Sequence, residues 1–368
     1  MKAVVVTAPN EFGVEEIELL PPNEHEVRVQ MKACGLCMSD YHVVAGALPT
    51  PLPCALGHEG AGVIAEVGSA VTRFAVGDPV VLNFSPACGV CDMCQKGLGL
   101  YCASFPIEMQ LGGVQPDGTS RLQRSDCTKV QQLMGLGCMA EEAVVNEACV
   151  VETDASIDLT RACVVSCGVM TGAGGAINTG NVRPGDTVAV FGCGGVGLNA
   201  IQGARIAGAT QIIAVDLADN KLELSQQLGA THTINGGECD AVATIKELTG
   251  GMGADVALEC VGVPALIRQS YESTRPLGKT VVIGMAPPDQ DVNFNAFDLL
   301  QTGKLVCGHK ASGANSSSQF ISTLLGHYQA GKLDLDTLVS RTYAIDEIHQ
   351  AVDDLLNNVN ARGVIVFE

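Results

Sequence analysis

The stretch DTVAVFGCGGVGLNA, residues 186–200, decides the fold of this chain. Its apolar run 188–191 predicts a buried strand, and residues 198–207 predict a helix. The glycines between them give the pattern G-x-G-x-x-G, which is weak evidence by itself in a chain with 43 glycines. A second predicted strand, 211–215, follows the helix and ends in Asp216, so the pattern stands in the order that a dinucleotide-binding βαβ unit requires.

This turn has a physical purpose in dinucleotide binding. Glycine lets the backbone approach a pyrophosphate, whose negative charge is attracted by the N-terminus of the following helix. The carboxylate of Asp216 can accept hydrogen bonds from the adenosine ribose and repels a 2′-phosphate, which favours NAD over NADP. A glycine-rich turn without a ligand is the alternative. The predicted cofactor-binding residues of this unit are Gly192, Gly194, Gly195, Val196, Gly197 and Asp216.

Strand-like and helix-like segments continue to alternate after Asp216. The predicted strands are 256–259, 280–283 and 304–307, and the predicted helices are 222–228, 241–248 and 265–273. This rhythm predicts an α/β fold with a doubly wound parallel sheet over residues 173–311. With 368 residues, at about 150 per domain, the chain has room for a second domain, which we assign to residues 1–172 and 312–368.

Composition narrows the classes of function. The formal net charge of −19 argues against a generic binder of nucleic acid or of an anionic membrane, because either surface repels the protein. Two charge-free stretches, 162–182 and 187–204, contain too many glycines and polar residues for a membrane helix. The first 16 residues lack the layout of a signal peptide. We therefore expect a cytoplasmic protein whose 16 cysteines are metal ligands or buried thiols rather than disulfides.

Four of the cysteines form one short cluster. Cys88, Cys91, Cys94 and Cys102 have the spacing C-x2-C-x2-C-x7-C. Such spacing lets four thiolates of one loop reach a tetrahedral Zn²⁺ and leaves no position for water or substrate, so the sequence predicts a structural zinc. An iron–sulfur cluster or a redox role is the alternative, although the usual cluster motif ends in C-x3-C-P.

A second set of candidate ligands is dispersed along the chain. Cys37 lies in the segment CGLCMSDYH, His58 in GHEG and Cys167 in SCG. Two thiolates and an imidazole supply three protein ligands and leave a fourth position open, which is the form of a catalytic zinc site. Spacing alone does not show that the three residues meet, and each of them taken singly is more often structural.

Taken together, the motifs resemble those of the zinc-containing medium-chain alcohol dehydrogenases. The resemblance rests on C-x-S-D-x-H at 37–42, GHE at 57–59, the four-cysteine cluster, CG at 167–168 and the glycine-rich turn with Asp216. It extends over essentially the whole chain. The segments PDGTSR at 116–121 and LGAT at 228–231 are most similar to the long-chain branch, which includes the glutathione-dependent formaldehyde dehydrogenases. The resemblance implies a GroES-like, mostly β catalytic domain joined to a Rossmann domain.

The resemblance also implies a role for each site residue. The implied ligands of the catalytic zinc are Cys37, His58 and Cys167, and those of a structural zinc are Cys88, Cys91, Cys94 and Cys102. The implied proton relay is Ser39 and His42, with Asp40 orienting His58 and Glu59 behind the metal. The residues implied to contact the nicotinamide, the pyrophosphate and the adenosine ribose, respectively, are Thr171, Arg362 and Lys221. The implied walls of the alcohol pocket are Leu48 and Phe84.

The implied reaction is hydride transfer between a primary, allylic or aromatic alcohol and NAD, which gives the aldehyde or ketone. Two zinc ions and NAD as cofactors, and a homodimer built through the nucleotide domains, are further implications. A glutathione- or thiol-adduct-dependent formaldehyde dehydrogenase is the alternative. The segment 47–51 lacks the acidic residues, and the segment 106–107 the basic residue, that adduct binding would use. A nucleotide-binding scaffold or redox sensor without turnover is a third alternative, against which the intact ligand and relay residues argue.

Overall fold

The computed structural model describes all 368 residues, which divide into two compact units. The first unit contains Met1–Cys167, Asn315–Gly331 and Leu335–Glu368, and the second contains Gly168–Ala314 and Lys332–Asp334. The predicted crossings near 172 and 312 therefore lie within a few residues of the observed ones.

One short segment falls in a different unit from the one that the sequence predicts. Lys332–Asp334 belongs to the second unit rather than to the catalytic domain. The side chain of Gln202 causes this placement, because its Nε2 donates to the carbonyl of Asp334 at 3.1 Å and its Oε1 accepts the N–H of Asp334 at 2.7 Å. Arg205 adds a hydrogen bond to the carbonyl of Lys332 at 2.8 Å.

The chain forms 19 strands and 12 α-helices. The strands are β1 Lys2–Ala8, β2 Glu11–Glu16, β3 Glu18–Leu19, β4 Glu26–Gly35, β5 Cys54–Ala55, β6 Glu59–Val67, β7 Pro79–Leu82, β8 Leu122–Gln123, β9 Lys129–Gln132, β10 Glu142–Asn146, β11 Val150–Glu152, β12 Thr187–Phe191, β13 Gln211–Asp216, β14 His232–Asn235, β15 Ala254–Glu259, β16 Thr274–Val282, β17 Leu305–Gly308, β18 Val339–Ala344 and β19 Arg362–Val366. The helices are α1 Met38–Val44, α2 Asp92–Gln95, α3 Ile107–Gly112, α4 Leu159–Ala162, α5 Gly168–Gly174, α6 Gly195–Ala207, α7 Asp219–Gln227, α8 Ala241–Leu248, α9 Pro264–Glu272, α10 Ala296–Thr302, α11 Ser317–Gln329 and α12 Ile348–Leu356. None of these helices is by itself long and apolar enough to cross a membrane, and Leu159–Ser166 with Gly168–Thr179 reaches that length and composition only as a broken pair.

The first unit is mostly β and contains two sheets. One has the strand order β2-β1-β5-β9-β8-β3, and the other has the order β11-β7-β6-β4-β19-β18, with β10 also paired with β4. In strand β4, Val27, Val29 and Met31 are buried, and the polar residues between them are more exposed. This alternation of burial is the pattern of a strand in a sheet with one buried face. These side chains join a core that reaches Tyr343 and Ile365 near the end of the chain.

The second unit is built on a parallel sheet of six strands in the order β14-β13-β12-β15-β16-β17. Strand β12 reads TVAVF and is buried at four of its five residues, as a strand inside a parallel sheet requires. It pairs with β13 on one side and with β15 on the other, so the strand order reverses beside it. Doubly wound sheets bind ligands at the carboxyl ends of the strands at this point of reversal.

The six predicted strands and helices after Asp216 are confirmed. Their ends shift by three residues or fewer, except that strand β16 begins at Thr274, six residues before its predicted start. Helix α6 begins at Gly195 instead of 198, which brings the last glycines of the turn into its first helical turn. Sequence analysis missed β14 and α10. Strand β14 is only four residues long, and α10 has no buried residue, so neither shows the apolar periodicity on which such predictions depend.

A histidine after β17 is held neutral in the second unit. The Nε2 of His309 lies 2.7 Å from the carbonyl oxygen of Ala311 and must donate to it, so Nδ1 accepts from the hydroxyl of Thr179, also at 2.7 Å. Burial lowers the pKa of His309 to about 4, against an ordinary value of 6.5.

We expect the second unit to lose stability as the pH falls from about 6.5 to about 4, because the unfolded chain binds a proton at this histidine in that window whereas folded His309 does not. The loss at this partly exposed residue is about 2 kcal/mol. His309→Gln can keep both hydrogen bonds without titrating. Urea unfolding of both proteins near neutral pH and near pH 5 measures the effect, and an equal loss in the variant would contradict it.

Candidate active site and metal centres

The four clustered cysteines converge in the first unit. Cys91 precedes helix α2, Cys94 lies within it, and Cys102 follows a short turn at Gly99–Tyr101. The four Sγ atoms lie within 4.8 Å of one another, with Cys88 and Cys94 4.0 Å apart and Cys91 and Cys102 3.9 Å apart. Tetrahedral Zn–S bonds of about 2.3 Å place the sulfurs about 3.8 Å apart, so the cluster has the dimensions of a zinc site.

Backbone amides of the same loop favour the thiolate form of this cluster. The N–H of Cys91 donates to Sγ of Cys88 and the N–H of Cys88 donates to Sγ of Cys102, each at 3.3 Å. A hydrogen bond from Ser104, followed by those of backbone amides, lowers the pKa of Cys88 to about 6, whereas burial raises the pKa of Cys94 to about 12. Four sulfur donors without a carboxylate fit a Zn²⁺ ion that is fully coordinated by protein.

Cys37, His58 and Cys167 also meet in the first unit. Strand β4 leads to Cys37 at the start of α1, His58 directly precedes β6, and Cys167 follows the turn Cys163–Ser166. Their ligand atoms and the carboxylate of Glu59 lie within 4.8 Å of one another, and all four residues are buried. The Nε2 atom of His58 is buried without a hydrogen-bond partner. An imidazole nitrogen of this kind beside two thiols fits a bound Zn²⁺.

The cysteine at the start of α1 is prepared for metal binding. A hydrogen bond with the Cys167 thiol has the largest effect and, together with His58, holds the pKa of Cys37 well below its usual value, although burial opposes this. The thiolate is the form of cysteine that binds a metal. Cys37 is therefore suited to be an anionic ligand of a metal ion.

Asp40 fixes the geometry of this ligand set. Its carboxylate is fully buried, Oδ2 accepts the N–H of Cys37 at 3.0 Å, and Oδ1 accepts the N–H of Gly57 at 2.9 Å. Oδ1 also lies 3.3 Å from Nδ1 of His58. Because Nδ1 donates to Asp40, the lone pair of the imidazole is at Nε2 and faces the other ligands. The structure thus places Asp40 where the resemblance implies.

Glu59 and Arg362 form a buried ion pair next to the ligands. The side chain of Glu59 is 0% exposed and that of Arg362 is 5% exposed. Burial alone would lower the pKa of Arg362, but the charge of Glu59 raises it above its usual value. Strand β19 pairs with the end of β4, which brings Arg362 to this place. The resemblance puts Arg362 at the pyrophosphate, whereas the structure gives it an acidic partner behind the metal ligands, and the pyrophosphate contact stays a prediction.

The two relay residues share one face of helix α1. Ser39 Oγ lies 3.9 Å from Sγ of Cys37, and His42 follows three positions later in the last turn of the helix. Residues three apart on a helix are neighbours on its surface. Both residues are half-buried, so each keeps part of its surface open to solvent.

One aromatic side chain stands beside a candidate metal ligand in the first unit. The ring of Phe84 meets the ring of His58 edge-on, with centroids 5.8 Å apart and an interplanar angle of 88°. Leu48 and Phe84 are both half-buried and pack against the core of this unit. The contact between Phe84 and the ligand histidine supports its implied position at a pocket wall.

The glycine-rich turn and Asp216 are brought together in the second unit. The turn runs from the end of β12 into α6, and a Cβ atom at Gly197 would collide with the carbonyl oxygen of Gly192, so the sequence needs glycine there. Helix α6 begins without a side-chain cap, which leaves its first N–H groups for a ligand. Asp216 Oδ2 accepts the N–H of Cys193 at 2.7 Å, and Oδ1 accepts those of Leu217 and Ala218 at 2.8 and 3.1 Å.

Lys221 and Thr171, the other residues of the second unit that are implied to contact the cofactor, lie on different helices. Lys221 is half-buried on α7, and its charge acts on Cys193 of the turn, partly opposing the rise in the pKa of Cys193 that burial causes. Thr171 is half-buried on α5, where its backbone carbonyl faces His309. Their contacts with the ribose and the nicotinamide stay predictions.

Sequence reasoning missed the two contacts that connect this site to the rest of its unit. Glu59 and Arg362 lie 303 positions apart, and Phe84 and His58 belong to different motifs. The resemblance names both Glu59 and Arg362, but it does not pair them. The available indication of the pair was that a buried acid needs a cationic partner.

Comparison with known proteins agrees with this geometry. Residues 23–155 match the model of the alcohol dehydrogenase GroES-like domain, and residues 195–325 match that of the zinc-binding dehydrogenase. The chain is 40% identical over 367 residues to a putative alcohol dehydrogenase D of Mycobacterium tuberculosis (strain CDC 1551 / Oshkosh), which covers 99% of this chain and 98% of that protein.

Two solved structures extend the comparison. Benzyl alcohol dehydrogenase from Acinetobacter calcoaceticus is 35% identical with a TM-score of 0.93, covering 100% of this chain and 99% of that one. A putative zinc-binding dehydrogenase from Sinorhizobium meliloti 1021 bound to NADP is 26% identical with a TM-score of 0.80, covering 100% and 99% of the two chains. With the GroES-like unit and the Rossmann unit both present, the chain belongs to the zinc-containing medium-chain alcohol dehydrogenase family and is an oxidoreductase.

Proposed function

We propose that the protein transfers a hydride between a primary, allylic or aromatic alcohol and NAD, giving the aldehyde or ketone. The observation that carries this proposal is the buried set of Cys37, His58 and Cys167, with Nε2 of His58 unpartnered. Three protein ligands leave one position of a zinc ion open for an alcohol oxygen. The apolar Phe84 beside His58, and the likeness to a benzyl alcohol dehydrogenase, support an apolar or aromatic alcohol.

The residues around the ligands have distinct tasks in this reaction. Zinc held there would supply a Lewis acid that lowers the pKa of an alcohol, and bound NAD would supply the hydride acceptor. Asp40 keeps His58 in the tautomer that binds metal through Nε2. Ser39 Oγ accepts the proton of the alcohol as its own hydroxyl proton is released toward His42, and His42 releases a proton to solvent in turn. The apolar side chains of Leu48 and Phe84 bind the hydrocarbon part of the substrate and exclude water.

The choice of NAD depends on Asp216. Its carboxylate stands at the end of β13 beside the glycine-rich turn and is held by three backbone N–H groups. A fixed negative charge at this place repels a 2′-phosphate and leaves lone pairs for ribose hydroxyls. Because the family includes a protein bound to NADP, this one residue supports NAD more directly than the fold does.

The test of this function is NADH formation by zinc-loaded protein with a panel of alcohols. We expect benzyl alcohol to give a higher kcat/KM than ethanol, because each additional buried methylene contributes about 0.8 kcal/mol. We expect NADP to be the poorer acceptor. Ser39→Ala should lower kcat by about 100-fold through loss of proton transfer. The exposed serine variant Ser322→Ala is the matched control and should keep full activity.

Other outcomes of this panel would identify a different function. Turnover of formaldehyde only in the presence of glutathione would identify a thiol-adduct dehydrogenase. Binding of NADH and zinc without turnover of any alcohol would identify a scaffold or sensor.

We also propose two zinc ions per chain, because the four-cysteine cluster and the Cys37 set each have the donors and the dimensions of a zinc site.

We expect Cys94→Ser to reduce the bound zinc from about two to about one per chain and to lower the melting temperature, since a structural zinc contributes directly to folding. Elemental analysis measures the ratio. Cys127→Ser, an exposed cysteine outside both clusters, should keep both ions. Bound iron with visible absorption would contradict zinc in the cluster.

The homodimer is proposed through strand β17 of the second unit. This strand is at the edge of the parallel sheet, with Leu305 56% and Val306 38% exposed. Helix α10, directly before it, exposes Phe297 and Leu300 and buries none of its residues. An apolar edge with unpaired backbone groups is satisfied by a second copy related by a two-fold axis.

Light scattering should therefore give a mass of twice the 38.0 kDa of the chain. Leu305→Lys should give a monomer, because it places a charge on the paired edge. Met252→Lys, an exposed apolar residue elsewhere in the same unit, should stay dimeric. A monomeric parent protein would contradict the proposal.

A cytoplasmic location is proposed from the cysteines. All 16 thiols are free in the structure, including Cys34 and Cys138, whose buried sulfurs lie 3.7 Å apart. Both zinc sites need reduced cysteines, so a reducing compartment supports the proposed cofactor content.

A further inference from the structure

A buried acid stands at the carboxyl edge of the sheet in the second unit. Glu259 is the last residue of β15 and is 0% exposed. It pairs with Phe191 at the end of β12 and with Val282 at the end of β16. Acids are almost never fully buried unless they are paired, and the structure places no cation on this one.

Glu259 binds two loops at once. We name Cys260–Val263, after β15, the first edge loop and Ile283–Ala286, after β16, the second edge loop. The carboxylate oxygen Oε1 accepts the N–H groups of Val261 at 3.0 Å and Gly262 at 2.8 Å. The backbone oxygen of Glu259 accepts the N–H groups of Ile283 at 2.8 Å and Gly284 at 3.0 Å. One residue therefore determines the course of both loops as they leave the sheet.

The two edge loops are in direct backbone contact. Gly262 has φ of +88°, and a Cβ atom there would stand 2.5 Å from the carbonyl carbon of Met285. A Cβ atom at Gly284 would collide with the backbone nitrogen of Gly262. A Cβ atom at Gly192 would in turn collide with the side chain of Val261, so the glycine-rich turn packs against the first edge loop. The two edge loops and the glycine-rich turn are thus packed together, so the position of each depends on the others.

The carboxylate is retained at an energetic cost. Oε2 of Glu259 is buried without a hydrogen-bond partner. Burial raises the pKa of Glu259, and the amides of Gly262 and Val261 lower it only in part. An apolar residue would avoid this cost in the core but would release the two N–H groups of the first edge loop.

The loops lie where the cofactor must pass. Strand β13, with Asp216, is on one side of β12, and β15 and β16 are on the other. A dinucleotide whose ribose contacts Asp216 and whose pyrophosphate meets α6 extends over the ends of β15 and β16. At those ends Val261, Val263 and Met285 are 45%, 42% and 52% exposed, so the two edge loops offer apolar side chains that a ligand over the strand ends would cover.

We infer that Glu259 is a positioning residue for the dinucleotide: its carboxylate holds two N–H groups of the first edge loop, which stands in backbone contact with the second, so that the cofactor meets a preformed wall. This inference rests on the proposed use of a nicotinamide cofactor by this unit. Glu259 is not among the candidate metal ligands of the first unit.

The test combines two measurements on the full-length protein. Glu259→Ala removes the acceptor and should speed hydrogen exchange at the amides of Val261 and Gly262 by about tenfold or more without cofactor. It should also raise the Kd for NADH and the KM for NAD by about tenfold, with kcat at saturating NAD changed much less. Glu259→Gln keeps an oxygen acceptor and should stay within about threefold of the parent protein.

A structural control separates positioning from general loss of stability. Ile245→Ala opens a cavity in the core of the same unit, away from the edge loops, and should destabilise the protein without changing the Kd for NADH. If Ile245→Ala weakens NADH binding as much as Glu259→Ala, or if Glu259→Gln behaves like Glu259→Ala, the positioning role is overturned. Unchanged NADH binding in Glu259→Ala overturns it even if exchange is faster. If the parent protein itself binds no NADH, the proposed cofactor use fails, and the role of Glu259 falls with it.

Discussion

The catalytic half of this protein depends on one carboxylate. Asp40 binds the backbone of Cys37, the backbone of Gly57 and the ring of His58, and it does so without contact with solvent. A buried charge is costly, and these three contacts offset the cost only when the segments stand in one arrangement. The same contacts set the start of helix α1, which carries the relay residues. The arrangement of the candidate metal ligands and that of the proposed proton relay therefore depend on the same carboxylate.

The acids that matter most in this acidic protein are orienting groups. Asp40 in the first unit, and Asp216 and Glu259 in the second, each accept hydrogen bonds from backbone N–H groups of a loop. Such charge-assisted bonds are about twice as strong as neutral ones and fix direction as well as distance. Glu59 is the exception, because its charge is balanced by Arg362. The loops that are proposed to bind a metal or a cofactor have no regular backbone pairing. Acidic side chains fix the position of these loops instead.

Local spacing made much of the structure predictable. The four cysteines, the segment after Cys37 and the glycine-rich turn are short motifs, in which neighbours in sequence are neighbours in space. The parallel sheet was predictable because its buried strands are apolar runs. The sequence does not reveal contacts across long separations, such as Glu59 with Arg362, because one acid can meet any of the chain's 21 basic residues. Nor does it reveal the role of Glu259, since the final residue of a strand can face either the core or the solvent. Segments without a buried face, such as α10, are also missed.

Asp216 has a consequence for how the cofactor preference of this chain can change in evolution or engineering. The carboxylate that we propose to exclude a 2′-phosphate is also the acceptor that ties Cys193 of the turn to the end of β13. On that proposal, a single substitution of Asp216 that admits the phosphate also removes a structural support of the glycine-rich turn. A switch to the phosphorylated cofactor would then require a second, compensating change in the turn.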